Sequence, residues 1–301
     1  MSTSRMSTSR QNLRGMLSML LAIATFSLMD AALKTLAPDY PPMQIAAMRG
    51  WSSLPLVALW VLVDGGPRQL LHVRWTLHVF RGLLSIVMLA AFAYALRTLP
   101  LAETYSLFFV APLIITALAA LFLGERVDWR GWAAILIGFC GTLIVLRPTG
   151  GGVLTLAGLA VLVSATGYAL SAISVRVLGR SDSTQAMVFW LLVMTGLFAT
   201  ALAWRDWTPI NPGHWRVLAV LAVTGAVGQY AITDAFRRAD ASRIAPLEYT
   251  ALLWGIILDR VLWNTLPDAI TLTGAAVIVA SGLYLVRRDS RSSADPCQTP
   301  P

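Results

Sequence analysis

Acidic residues are scarce in this sequence, with 15 Asp and Glu among 301 residues against 23 Lys and Arg, and only 13% of the chain is charged. An ordinary soluble domain carries about 25%. With 57% of residues hydrophobic, too little polar surface remains to cover a water-soluble globule. Cysteine is nearly absent. Cys140 lies in an apolar run and Cys297 near the end of the chain, which excludes a disulfide framework and any cysteine metal-ligand spacing. The three histidines, His72, His78 and His214, fall between or at the edges of the apolar runs and are too far apart for a metal site. With no histidine inside an apolar run, a Ser-His-Asp nucleophile has no base within the membrane. Gly150-Gly151-Gly152 is not followed by Gly-Lys-Ser/Thr, so the chain lacks that ATPase phosphate loop. We therefore expect no catalytic residue, no metal and no cofactor, and expect that work is driven by a gradient.

What the sequence has in abundance is apolar runs of about twenty residues, the length of helix that crosses about 30 Å of hydrocarbon. Read against charged and Pro/Gly breaks, they give spans near 14–37, 44–63, 79–96, 102–123, 129–146, 153–176, 184–203, 215–236, 242–263 and 269–286. Breakers such as Pro41-Pro42, Gly65-Gly66-Pro67 and Asn211-Pro212-Gly213 punctuate the joints. The expected fold is an all-α integral membrane protein of ten transmembrane helices. Residues 1–12 read as a disordered cytoplasmic N-terminus that leads into an uncleaved first helix, since no small-residue cleavage site follows. Residues 288–301, polar and rich in Ser and Pro, read as a disordered cytoplasmic tail.

The net charge of +8 sits in the joints rather than on one face, which argues against nucleic acid as a partner. With the N-terminus cytoplasmic, 15 of the 23 Lys and Arg fall on the cytoplasmic side and five on the other, Arg49, Arg81 and Arg260 lying within spans. That is a positive-inside distribution. It implies a multi-pass protein of a bacterial inner membrane with both termini cytoplasmic.

The two halves echo one another. Phe26 through Lys34 in the first span and Tyr168 through Arg176 in the sixth share an aromatic, a Leu two later and a base eight later. Leu107, Ala111, Leu113 and Leu118 recur as Leu247, Ala251, Leu253 and Leu258 at a spacing of 140. We read a first repeat at 13–147, a linker at 148–152 and a second repeat at 153–287. Five spans per copy is odd, so the second copy inserts upside down, giving two inverted five-helix repeats around one central site.

Ionisable groups inside spans cost about 2.5–3.5 kcal/mol each on insertion scales, so they need a partner or a wet cavity. They form the candidate site. Asp30 and Lys34 lie one turn apart toward the outer end of the first span, with Arg49 at similar depth in the second. Glu103 and Tyr105 open the fourth span, below Pro112, whose missing N–H frees backbone groups for a cavity. Asp234, preceded by Gln229 and Tyr230, and Glu248, beside Pro246, stand at similar depth in the eighth and ninth spans. Either acid could titrate during transport or recognise a cation, and either could instead neutralise the nearby arginines. Tyr168, Trp190, Tyr249 and Trp254 lie away from span ends, where they could sandwich a planar or cationic ligand or simply pack.

Further stretches fit a known pattern. They are Arg14-Gly15, Leu123-Gly124-Glu125-Arg126 with Trp129-Arg130-Gly131, Ala245-Pro246-Leu247-Glu248-Tyr249-Thr250, Leu266-Pro267-Asp268, Gly274 and Ser281-Gly282-Leu283-Tyr284. As a set, over residues 13 to 288, they resemble the drug/metabolite transporter superfamily, in its EamA-like ten-helix branch. The resemblance implies a secondary transporter with a central cavity lined by helices 1, 3, 4, 6, 8 and 9. The Pro-Leu-Glu-Tyr-Thr form of the ninth helix resembles uptake carriers for riboflavin or S-adenosylmethionine, alongside amino-acid exporters. The chain departs from the pattern at Asn264-Thr265, where the family repeats Gly-Glu, and at Asp259-Arg260. The expectation is a carrier of a small polar or aromatic metabolite, monomeric or homodimeric in the bilayer. The alternatives are a lipid flippase or an intramembrane enzyme.

Overall fold

A computed structural model describes residues 2–36, 38–64, 66–71, 73–98, 107–125, 127–146 and 155–263, together with positions 269–270, 273–274, 276–277, 280–281 and 284. Glu103, Tyr105, the 148–152 linker and the 288–301 tail lie outside the described residues, as does the side chain of Lys34. Among the described residues every regular element is helical. The helices are α1 (Ser2–Leu36), α2 (Pro42–Val63), α3 (Trp75–Thr98), α4 (Ala111–Leu123), α5 (Trp129–Leu146), α6 (Leu156–Leu178), α7 (Thr184–Ala203), α8 (Trp215–Arg238), α9 (Ala241–Ile244) and α10 (Ala251–Trp263). Six stretches among the described residues are long and apolar enough to cross a membrane: Gln11–Leu33, Pro42–Val63, Trp75–Phe92, Leu156–Leu178, Thr184–Asp206 and Pro212–Arg238.

Local chemistry sets the ends. Thr155 and Ser183 cap α6 and α7, their hydroxyls accepting the amide protons of Gly158 and Ala186 at 3.1 Å each. Gly124, in the left-handed region at φ 67°, closes α4. Pro112 lies in the first turn of α4, where its missing N–H costs no helical hydrogen bond. The helix α1 begins at Ser2, so it takes in the polar segment 2–12 expected to be disordered. Neither Gly nor Pro occurs before Gly15 to stop the helix.

The helices pair as α1 with α8, α2 with α7 and α3 with α6, with secondary contacts of α2 on α8, α3 on α7 and α4 on α6. Close approach carries this packing, because lipid tails are as apolar as the helices and give no hydrophobic drive between them. A Cβ on Gly50 would lie 3.0 Å from the backbone of Gly196, so α2 and α7 meet main chain to main chain. The largest apolar cluster joins Met19, Ile23, Ile115, Leu178, Met187, Phe236, Ile244 and Leu247 from six helical segments and the stretch after α9.

Candidate functional site

The ninth apolar run is not one helix. After α9 the chain runs through a 3₁₀ segment, Ala245–Thr250, before α10 resumes. Pro246 lies in its first turn and cannot donate a backbone hydrogen bond. This break aims two successive side chains into different surroundings. Glu248 accepts a 3.0 Å hydrogen bond at Oε1 from the Tyr168 hydroxyl of α6. Tyr249 turns toward α5, its ring filling the space over Gly138, and its hydroxyl donates to the Phe109 carbonyl at 3.3 Å. Phe108 stands 5.9 Å from the Tyr168 ring, and Phe109 5.9 Å from that of Tyr249. Glu248 is 9% exposed and Tyr249 1%, while Tyr168 is half-buried. Trp254, one turn along, packs on the main apolar cluster.

A second group forms between α1 and α2. The Arg49 guanidinium lies 5.4 Å from the centre of the Phe26 ring, within cation–π range. Asp30 is exposed and interacts electrostatically with Arg49. Phe26 also fills the notch left by Gly228, which ties this group to α8.

Asp234 and Trp190 sit elsewhere. The Asp234 carboxylate accepts from Arg238 Nε at 2.6 Å and from the Ser18 hydroxyl at 2.9 Å, so it is neutralised and ties α8 to α1. Tyr230 meets Trp60 edge to face at 4.7 Å, and Gln229 is buried on the same helix. Trp190 donates to the Leu70 carbonyl at 3.0 Å and meets Trp75 edge to face at 4.4 Å, at the joint between α2 and α3.

Sequence reasoning missed two arrangements. Glu125, quoted above only as part of a motif, accepts from the amides of Ala241 and Ser242 at 3.0 Å each and from the Ser242 hydroxyl at 2.7 Å. It thereby caps the start of the broken ninth run from the end of α4. His78 proves to be buried in α3 and shares a 2.9 Å hydrogen bond with Asp182. Among the described residues no group of His, Cys, Asp and Glu could hold a metal.

Membrane-length helices with a carboxyl–phenol pair at a helix break suit a membrane carrier of small molecules. The EamA-like transporter family model matches residues 13–147 and 155–287, and the chain belongs to that family. It is 27% identical to the pseudopaline exporter of Pseudomonas aeruginosa, over 91% of this chain and 96% of that one. It is 26% identical to an S-adenosylmethionine uptake transporter of Rickettsia prowazekii, over 93% and 95%. It is 28% identical to a riboflavin transporter of Vibrio cholerae, over 96% and 98%. A crystal structure that is 21% identical shares the fold, with a TM-score of 0.78 over 94% of this chain and 99% of that one.

Proposed function

We propose that this protein is a secondary active transporter that moves a small polar or aromatic metabolite across a bacterial inner membrane by alternating access. Its ten helices form two inverted five-helix repeats at 13–147 and 153–287, with both termini cytoplasmic, in a monomer or homodimer. The pairing of helices supports the repeat. Exchanging α1, α2 and α3 with α6, α7 and α8 turns the α1–α8 contact into α6–α3, returns α2–α7 to itself and turns α2–α8 into α7–α3. Each of the α1–α8 and α3–α6 pairs also holds one glycine under a side chain of its partner, but with the roles of the helices reversed. The Phe26 ring lies over Gly228, and the Met88 side chain over Gly167.

The observation that carries the site is Glu248, held by the Tyr168 hydroxyl at the break in the ninth run. Carriers bind substrate where helices are interrupted, because unwound backbone is tolerated at membrane depth only where protein or a wet cavity satisfies it. A carboxyl with one phenol partner and aromatic rings beside it suits a cationic or planar group, or a proton exchanged for one. Tyr168, Glu248 and Trp254 form the binding wall, Tyr249 backs it from its packed position over Gly138, and Asp30 with Arg49 forms a charged entrance at the other level. Glu103, Tyr105, Gln229 and Tyr230 complete the set. The relatives support trial of riboflavin, S-adenosylmethionine and pseudopaline, and the sequence resemblance adds amino acids.

Counterflow in proteoliposomes tests this reading, since only a carrier concentrates labelled substrate against unlabelled substrate trapped inside. Glu248→Gln keeps an acceptor for the Tyr168 hydroxyl but removes the ionisable group, so it should abolish the pH dependence of uptake and lower its rate about tenfold, the difference between a charged and a neutral hydrogen bond at about 1–1.5 kcal/mol. Transport by Glu248→Gln at the wild-type rate and with the wild-type pH profile would remove Glu248 from the mechanism. Asp30→Asn should raise the substrate concentration for half-maximal uptake, and wild-type kinetics would return Asp30 to a structural role.

A further inference from the structure

At the arginine-rich end of the bundle a crevice of about 200 Å³ opens where α4, α6 and α8 finish, lined by Leu123, Arg176, Gly179, Arg180 and Arg237. Two carboxylates serve the arginines around it. Asp240 accepts from Arg176 at 3.0 Å and from Arg243 at 3.0 Å. Glu125 meets Arg176 at 3.4 Å but is already occupied by the amides and hydroxyl at the start of α9. Arg237 has only neutral acceptors, the Gly179 carbonyl at 3.4 Å from Nε and the Thr184 hydroxyl at 2.9 Å from Nη1. Among the described residues neither Arg180 nor Arg237 meets a carboxylate within 4 Å. A guanidinium offers five N–H donors in a planar fork, so Arg237 keeps donors in reserve and Arg180 brings a second set to the same crevice.

The fit of Arg237 is built in. A Cβ on Gly179 would lie 2.8 Å from Arg237 Cγ and 3.1 Å from the Val175 carbonyl, so only glycine lets the arginine stem lie flat across the α6–α7 turn. Immediately before Leu123, Leu121 and Phe122 are 78% and 70% exposed on the last turn of α4. In a membrane-embedded chain, exposed side chains of that kind face acyl chains. The crevice is lined by one apolar side chain, Leu123, and by the two under-used guanidinium groups, with the exposed Leu121 and Phe122 on the same last turn of α4.

We infer that this crevice binds the phosphate of an anionic phospholipid headgroup, with Leu121 and Phe122 lying along the acyl chains. Guanidinium forks match phosphate oxygens in geometry and charge. On the orientation proposed above, this end of the bundle faces the anionic cytoplasmic leaflet, where such lipid is abundant. The site depends on membrane residence and orientation but not on which metabolite is carried. Bound there, the lipid would brace the ends of α4, α6 and α8 against one another.

The test is retention of phosphatidylglycerol against phosphatidylcholine by the purified full-length protein, read by native mass spectrometry. Wild type should prefer phosphatidylglycerol. The double variant Arg180→Gln/Arg237→Gln should lower that preference about 25-fold, since each basic residue near an anionic surface is worth about fivefold. Gly179→Ala keeps both charges but displaces Arg237, so it should lower the preference by a smaller factor. It carries the test if the double variant fails to fold. Arg130→Gln, at a residue whose guanidinium lies 5.5 Å over Trp129 outside the crevice, should leave retention unchanged. Wild-type retention by both the double variant and Gly179→Ala would overturn the site. If millimolar inorganic phosphate raises the melting temperature as much as the lipid does, the crevice serves a soluble phosphate and the lipid assignment fails.

Discussion

The two ends of the bundle are tied by similar devices made of different chemistry. At one end the α1–α2 turn reaches the α7–α8 connection. The Tyr40 hydroxyl accepts from the Asn211 amide at 2.9 Å and pairs with His214 Nδ1 at 2.9 Å. Gln44, in the first turn of α2, exchanges hydrogen bonds with the Thr208 main chain at 2.5 and 2.8 Å. At the other end the α6–α7 turn reaches the α2–α3 connection. The Asp182 carboxylate accepts from the Arg74 amide at 3.2 Å and pairs with His78 Nε2 at 2.9 Å. Gln185, in the first turn of α7, donates to Asp64 at 2.5 Å. In each, a turn side chain holds one backbone amide and one histidine ring of the opposite half, and a glutamine just inside the next helix adds a second tie. The Tyr40 clamp holds a phenol that is 5% exposed against a largely exposed loop, residues 204–213. The Asp182 clamp buries its carboxylate and its histidine to 1% exposure each. Opening the Tyr40 clamp returns the loop groups to water and breaks only neutral hydrogen bonds, whereas a buried acid stripped of partners is costly. We therefore expect the Tyr40 end to yield first.

Removing the buried acid should have the largest effect. Asp182→Ala takes the acceptor from the His78 ring, the Arg74 amide and the Ser181 hydroxyl, and each buried donor left unsatisfied costs about 1–3 kcal/mol. Thermal unfolding in detergent measures it. A loss no larger than that of Tyr40→Phe, expected at about 1–2 kcal/mol for two neutral hydrogen bonds, would abolish the proposed inequality of the two ends. Between these falls a test of the two glycine contacts. A Cβ on Gly228 would meet the Phe26 ring at 2.8 Å and the Thr25 hydroxyl at 2.9 Å, whereas one on Gly167 would meet Met88 Cγ at 2.7 Å with little else near. Overpacking costs about 1–3 kcal/mol, and a methionine side chain gives way more readily than a ring wedged between helices. Gly228→Ala should therefore destabilise more than Gly167→Ala. Equal losses would mean that the two notches are filled alike.

These contrasts show what the sequence could and could not tell. Six of the expected spans, the first three and the sixth to eighth, were legible because bilayer thickness sets their length, whereas the ninth run, read as one span, is broken by the 3₁₀ segment that opens at Pro246. Tyr168 and Glu248 were both candidates, but nothing in their spacing joins them, since their bond crosses 80 residues of chain. The Glu125 cap spans 116 residues and the His78–Asp182 pair 104. No periodicity carries such pairings, because they arise from how helices stack, which apolar runs alone leave open. Asp234 shows the reverse. Its ties to Arg238 four residues on and to Ser18 of α1 spend the charge that, from sequence, could equally have served a substrate.

The smallest expected effect is on pH dependence, and it distinguishes which partner holds the charge of the buried clamp. Burial pushes the Asp182 carboxyl up, but the Ser181 hydroxyl, the His78 ring and the Arg74 amide outweigh it and leave the group below its ordinary range. A carboxyl whose folded value lies below its unfolded value, about 3.9, contributes stability that is complete above that value. The contribution is lost as pH falls through the folded one. Between about pH 8 and about pH 5, then, the stability difference between wild type and Asp182→Asn should be flat, and it should shrink only in stronger acid. Melting temperatures of the two proteins across that range provide the check. A difference that already changes above about pH 5 would assign the titration to the His78 imidazole. The contrast between the ends would then rest on two histidines rather than on a phenol and a carboxylate.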